Sequence, residues 1–199
     1  MKICIVGWYF YRELYDTLQE IQKEFPVFIV AHKYDPLLKE LDMPYQVIEN
    51  RGLEFGAYDW YLQNIWKSGA VLFQHDDIKV KDINAYNQIK ELNKDQVYIF
   101  GDEYTVKRNR GLHGRAFYCS PAILKLIKED GGIWFDYGNK GNVFNLKPGP
   151  DEGMDFNSGI CRFRDQMIEY KAKGYDTGSY KIIPSFQTGE RGKFRKEVV

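Results

Sequence analysis

"KICIVGWYFYRELYDTLQEIQKEFPVFIVAH" (residues 2–32) changes its hydrophobic period twice, and those changes decide the fold. Residues 2–10 are nearly all apolar, as befits a strand buried on both faces. Leu14, Leu18, Ile21 and Phe25 then recur at helical spacing until Pro26 stops them. Residues 27–32 return to a second buried strand. Strand, amphipathic helix and strand in this order predict a parallel pair joined by a crossover.

The pattern continues outward. In residues 35–42, "DPLLKELD", Asp35 can cap a short helix and Pro36 can take its first position. Residues 45–50, "YQVIEN", read as a third strand. After the glycine-punctuated "NRGLEFG" (50–56), Tyr58, Tyr61, Leu62, Ile65 and Trp66 line one side of a helix ended by Ser68 and Gly69. Residues 70–74 form the next strand. The expected class is α/β, a mostly parallel central sheet flanked by helices, whose strand carboxyl ends make the ligand crevice.

The fourth strand runs into "VLFQHDDIKV", residues 71–80. Adjacent Asp76 and Asp77 at a strand's carboxyl end have two readings. Asp starts turns. Paired carboxylates also hold a hard divalent cation that keeps positions open for phosphate oxygens. His75 favours manganese over magnesium, imidazole being the softer ligand, although a histidine beside a strand also serves as a hydrogen-bonded structural group. Zinc is not indicated, because no paired His/Cys spacing occurs.

The second half is less regular. It predicts a helix over 83–92, strands over 96–100 and 115–119, and a helix started by Ser120 and Pro121 with Ile123, Leu124 and Ile127 inside. Residues 137–155 are dense in Gly, Pro, Asn and Asp, the composition of a functional lid or an irregular loop. A helix over 157–173 ends at Gly174, and 180–186 reads as a last strand. With no internal repeat and no linker, 1–199 reads as one domain, a size that buries about 70% of the surface of the unfolded chain.

Lys+Arg and Asp+Glu balance at 28 each, which argues against nucleic acid or a membrane surface as the main partner. The aromatic share of 16% suggests rings lining a groove for sugars or bases. Cys4, Cys119 and Cys161 lack metal-ligand spacing and read as buried thiols in a reducing compartment. The N-terminal apolar run is too short for a signal peptide, and no apolar stretch approaches a membrane span, so a cytoplasmic location is the default expectation.

The span from Glu49 to Asp82 resembles the central signature of nucleotide-sugar glycosyltransferases with the GT-A fold, the family-2-like group in particular. There an Asn-x-Gly segment leads into a helix, and a strand then ends in an Asp-x-Asp-type motif. Asn50 and Gly52 match the first element; "HDD" matches the second, with His in place of the first Asp. The resemblance implies a transferase using a nucleotide-diphosphate sugar, with a UDP-sugar as the expected donor, and Mn²⁺ or Mg²⁺. It implies Asp77 as metal ligand with His75 nearby, and His75 and Asp76 beside the ribose and diphosphate. Trp8 or Tyr9 would stack on the base, and Arg51 would pair with a phosphate or a carboxylate of the site. Residues 1–100 become the donor half and 101–199 the acceptor half.

An inverting reaction needs a carboxylate base. Asp155 fits that place, ahead of a helix and after a Gly-rich segment, with Asp151 and Glu152 as rivals; Asp155 also suits a helix N-cap. The sequence departs from the family at "GWYFY" after the first strand, at "AHKYD" after the second, and in having no histidine after the last strand, which leaves His113 as a candidate ligand. The acceptor stays open among a glycan, a lipid-linked precursor, a protein and a modified base. Two other classes share these features: a nucleotidyltransferase, although the Gly-rich Lys-bearing phosphate loop is missing, and a non-catalytic glycan- or partner-binding module.

Overall fold

The computed structural model describes residues 1–8, 10–101, 116–133, 156–182 and 186–188. The first half is β1 (Lys2–Gly7), α1 (Arg12–Ile21), β2 (Val27–Ala31), α2 (Leu37–Glu40), β3 (Tyr45–Val47), α3 (Leu53–Asn64) and β4 (Val71–His75). The second is β5 (Ile78–Val80), α4 (Asn84–Lys90), β6 (Gln96–Gly101), β7 (Ala116–Cys119), α5 (Pro121–Glu129), α6 (Phe156–Ala172), β8 (Asp176–Ile182) and β9 (Phe186–Thr188). Among the described residues the main sheet has seven strands in the order β3-β2-β1-β4-β7-β6-β8. Only β7 runs against its neighbours. The α/β class with a mostly parallel sheet is therefore as expected.

Alternation along the strands builds two cores. Ile3, Ile5, Val27, Ile29 and Leu72 face α1, α2 and α4, whereas Cys4, Val6, Val30, Val71 and Phe73 face α3, α5 and α6. Burial on both faces explains the continuous apolar runs of these strands. Cys4 and Cys119 are buried thiols without a disulfide.

The second core is mostly aromatic. Phe73 stacks on Phe117 at 4.9 Å, Tyr58 meets Phe117 edge-on at 5.2 Å, and Phe117 contacts Phe163 at 4.8 Å. Each such pair adds about 0.5–1.5 kcal/mol beyond area burial. Tyr58, Tyr61, Tyr86, Tyr170, Phe55, Phe73, Phe117 and Phe163 are fully buried. Much of the aromatic excess thus fills the interior instead of lining a groove.

Several boundaries differ from the sequence expectation. Chain after α1 makes one more turn, with the Phe25 N–H donating to the Ile21 carbonyl, before Pro26 leads into β2 at Val27. α2 is a single turn whose Leu37 N–H donates to Asp35 Oδ1 at 2.9 Å. α3 ends at Asn64, short of Trp66, because the Trp66 indole N–H donates to the Gly69 carbonyl and draws the chain out of helical register. β8 starts at Asp176, directly after the Gly174 turn, and a separate β5–β9 pair forms beside the main sheet. No helix among the described residues is long and apolar enough to cross a membrane.

One buried polar pair interrupts the first core. Gln74 on β4 is fully buried; the Tyr86 hydroxyl from α4 donates to its Oε1 at 2.9 Å, and its Nε2 has no partner among the described residues. Tyr86→Phe leaves the whole amide unsatisfied and is expected to cost about 1–3 kcal/mol in urea denaturation. Adding Gln74→Leu should restore most of the loss; a double variant less stable than Tyr86→Phe alone would refute this account.

Candidate metal centre

From β1 the chain crosses to β2 through α1 on one face of the sheet. It later crosses from β3 to β4 through α3 on the opposite face. The winding direction therefore reverses between β1 and β4, and ligands of open α/β sheets bind outside the carboxyl ends at such a reversal. Register aligns the ends: Val6 lies opposite His75, Gly7 opposite Ala31, and Ala31 opposite Val47. Trp8, His32, Ile48 and Asp76–Asp77 thus emerge along one edge.

Asp76 and Asp77 form the turn between β4 and β5. The Asp76 N–H donates to the Val6 carbonyl at 2.8 Å, carrying the ladder one residue past β4. The Asp76 side chain then folds back over β1, where Oδ2 accepts the Trp8 N–H at 2.7 Å. That path exists only because position 7 is glycine: a Cβ there would lie 2.1 Å from Asp76 Cγ and Oδ2. Gly7 was missed in the sequence, where a glycine closing a strand is an ordinary turn residue.

His75 completes the cluster. Its Nδ1 is 2.9 Å from Asp76 Oδ1 and also 2.9 Å from Asp77 Oδ1. Burial works against the imidazolium, but the charge and hydrogen bond of Asp76, followed by those of Asp77, outweigh it and raise the His75 pKa well above its usual value. Tyr11, at the start of α1, has its hydroxyl pKa raised by burial and then by the fields of Asp76 and Asp77, so it remains a neutral hydrogen-bonding group. The Lys79 ammonium lies 5.8 Å from the Tyr11 ring centre.

His75, Asp76 and Asp77 offer one nitrogen and two carboxylate oxygens, all within 4.8 Å of one another. Atoms each about 2.0–2.6 Å from a shared cation span comparable separations. An oxygen-rich set with one imidazole fits Mg²⁺ or Mn²⁺ and lacks the thiolates of structural zinc sites. The residues therefore fit the group that the motif implies.

The other expected residues fall in three places. Trp8 stands on the β1 edge with its ring 5.7 Å from that of His32, a buried residue for which the sequence pattern carries no functional signal. Asn50 follows β3, whose ladder extends through the Ile48 N–H to the Ala31 carbonyl; both polar atoms of its amide are buried and have no partner among the described residues. Gly52 takes the left-handed conformation, φ 73°, at the start of α3, and Gly56 lies inside that helix. Arg51 is exposed and paired with Glu49 at 2.9 Å. Tyr9, His113, Asp151, Glu152 and Asp155 lie outside the described residues.

No protein-family profile and no curated protein matches the chain by sequence. Among solved structures, the inositol-1-phosphate CTP transferase from T. maritima aligns with a TM-score of 0.49 and 12% identity, covering 96% of this chain and 86% of that one. The apo-form glycosyltransferase GlyE in Streptococcus pneumoniae TIGR4 aligns with a TM-score of 0.45 and 10% identity, covering 89% of this chain and 45% of that one. The chain therefore spans less than half of GlyE. Likenesses at this level carry no argument about activity, and the site stands on its own geometry.

A raised His75 pKa has a signed consequence. The imidazolium stabilises the cation-free protein fully below its unfolded pKa of about 6.5, and the contribution fades as pH rises through the higher folded value. With a chelator present, the melting temperature is expected to fall across that rise, and His75→Gln should flatten the fall. An unchanged profile in the variant would exclude His75 as its source.

Proposed function

We propose that the protein is a divalent-cation-dependent transferase acting on a nucleotide-diphosphate sugar, and within that class an inverting glycosyltransferase. The observation that carries this reading is the convergence of His75, Asp76 and Asp77 where the sheet reverses its winding. Asp77 and His75 would hold Mn²⁺ or Mg²⁺. When bound, the cation would neutralise charge gathering on the departing diphosphate.

The chain's own residues supply the rest. Asn50 brings a donor and an acceptor already desolvated and without partners among the described residues, groups whose cost is recovered when a ribose or base edge pairs with them. Trp8, tilted against His32, offers a ring face for a base, uracil by preference, with Tyr9 next to it in the sequence as the alternative ring. Gly52 turns the backbone into α3 and leaves Arg51 at the surface, where its guanidinium exchanges Glu49 for a phosphate. Asp155 takes the proton from the acceptor hydroxyl as that oxygen attacks the anomeric carbon, with Asp151 and Glu152 as the alternative carboxylates.

Calorimetric titration of UDP, then of UDP- and GDP-sugars, with and without Mn²⁺, tests the assignment. Metal-dependent binding is expected in the native chain and should be lost in Asp77→Ala. A folded protein that binds none of these nucleotides would remove the transferase reading. Once a donor and acceptor are found, Asp155→Asn should lower turnover by about 10²–10⁴, the usual contribution of a positioned base. Undiminished turnover would move that role to Asp151 or Glu152.

A further inference from the structure

Asp76 and Asp77 are adjacent and equally acidic, yet the fold uses them differently. Asp76 is only 4% exposed, and its oxygens face inward, Oδ2 towards the Trp8 N–H at 2.7 Å and Oδ1 towards His75 Nδ1 at 2.9 Å. Its backbone N–H is also committed, to the Val6 carbonyl. The absent Cβ of Gly7 provides the space for its carboxylate. Such a group is built to join the ends of β1 and β4. Asp77 instead joins the cluster through His75, whose Nδ1 lies 2.9 Å from its Oδ1, and its Oδ2 is buried as well.

We infer that Asp76 is a positioning residue that couples cation occupancy at Asp77 and His75 to the placement of Trp8. The inference rests on the cation site of the proposed function, but not on the nucleotide. His75 Nδ1 lies between the two carboxylates, equally near an oxygen of each. A cation held by Asp77 and that nitrogen occupies the nitrogen that faces Asp76 Oδ1 and places a positive charge beside this oxygen. The change acts on a carboxylate whose other oxygen holds the Trp8 backbone, so the Trp8 ring and its contact with His32 respond. The coupling orders the site: cation first, then the ring face on which a base rests. By linkage, a ligand stacked on Trp8 tightens cation binding by the same factor.

The test uses the whole chain labelled with 5-fluorotryptophan, whose four tryptophan ¹⁹F resonances report separately, with Trp8 assigned through Trp8→Phe. Mg²⁺ is the titrant, because a diamagnetic ion shifts a resonance only by changing its surroundings. In the native chain the Trp8 resonance should move as Mg²⁺ saturates. Asp77→Asn should abolish both calorimetric Mg²⁺ binding and the shift. Asp76→Asn should still bind Mg²⁺, weaker by about tenfold as for an outer partner of a metal ligand, while the Trp8 resonance stays in place.

Three results would overturn the inference: a Trp8 resonance unmoved in the Mg²⁺-saturated native chain, one that moves equally in Asp76→Asn, or loss of Mg²⁺ binding in Asp76→Asn as complete as in Asp77→Asn, which would make Asp76 a ligand. If Asp76→Asn disturbs the other three resonances, Gly7→Ala replaces it, since the added methyl displaces the same carboxylate from the β1 side. A Trp8 shift in a protein that binds no nucleotide supports the coupling and removes the transferase reading. Nucleotide binding with Trp8 uncoupled does the reverse.

Discussion

The parallel pairing of β1 with β4 is the constraint on which the rest of the molecule depends. It brings together strands separated by three crossovers, and it sets Val6 opposite His75 so that both chains leave the sheet at one level. The Asp76 N–H prolongs that pairing by one bond, and its carboxylate fastens the outgoing β1 chain by another. A shift of one residue in this register would turn His75 and Asp77 to the opposite faces of the sheet, because side chains alternate with period two. The cluster therefore exists only in the register observed.

Rigidity behind the edge comes from the aromatic core. Tyr58 and Tyr61 of α3, Phe73 of β4, Phe117 of β7 and Phe163 of α6 pack ring against ring beneath the strand that ends in the cluster. Further along, Asp59 of α3 accepts the Ile133 N–H at 2.7 Å, and Gln166 of α6 donates to the Gly132 carbonyl, tying the end of α5 to both helices. Gly132, with φ 110° and no room for a Cβ beside Asp59, lets these helices approach. A close-packed interior of this kind transmits position with little play, which a site needs if one carboxylate and one imidazole are to meet a cation while a second carboxylate holds the neighbouring strand.

Polar groups left inside the fold divide by location. The Gln74–Tyr86 pair serves the packing of α4 on β4, and its single unmet donor is a modest cost within a large core. Asn50 lies instead at the carboxyl edge with its whole amide unmet. Buried polar groups ordinarily find partners, so an amide left this way beside a ligand edge reads differently from one left in a core.

By itself the sequence determined the alternation of strands and helices, because apolar period is a local property: continuous in β1, β2 and β4, helical at Leu14, Leu18 and Ile21. It also marked His75, Asp76 and Asp77, since residues adjacent in a strand and its turn are neighbours in any fold. Tertiary structure alone decided what lies across from them. Gly7 and Trp8 are separated from Asp76 by nearly seventy positions, His32 meets Trp8 across parallel strands, and the fastening of Asp76, but not Asp77, over β1 depends on a missing Cβ on that strand. The aromatic residues were equally ambiguous in one dimension, because a ring that would suit a sugar groove also suits a core, and only the packing of α3, β4, β7 and α6 put them inside. Pairing across long sequence separations carries no periodic signature, and it was the step that turned two ordinary aspartates into two distinct groups.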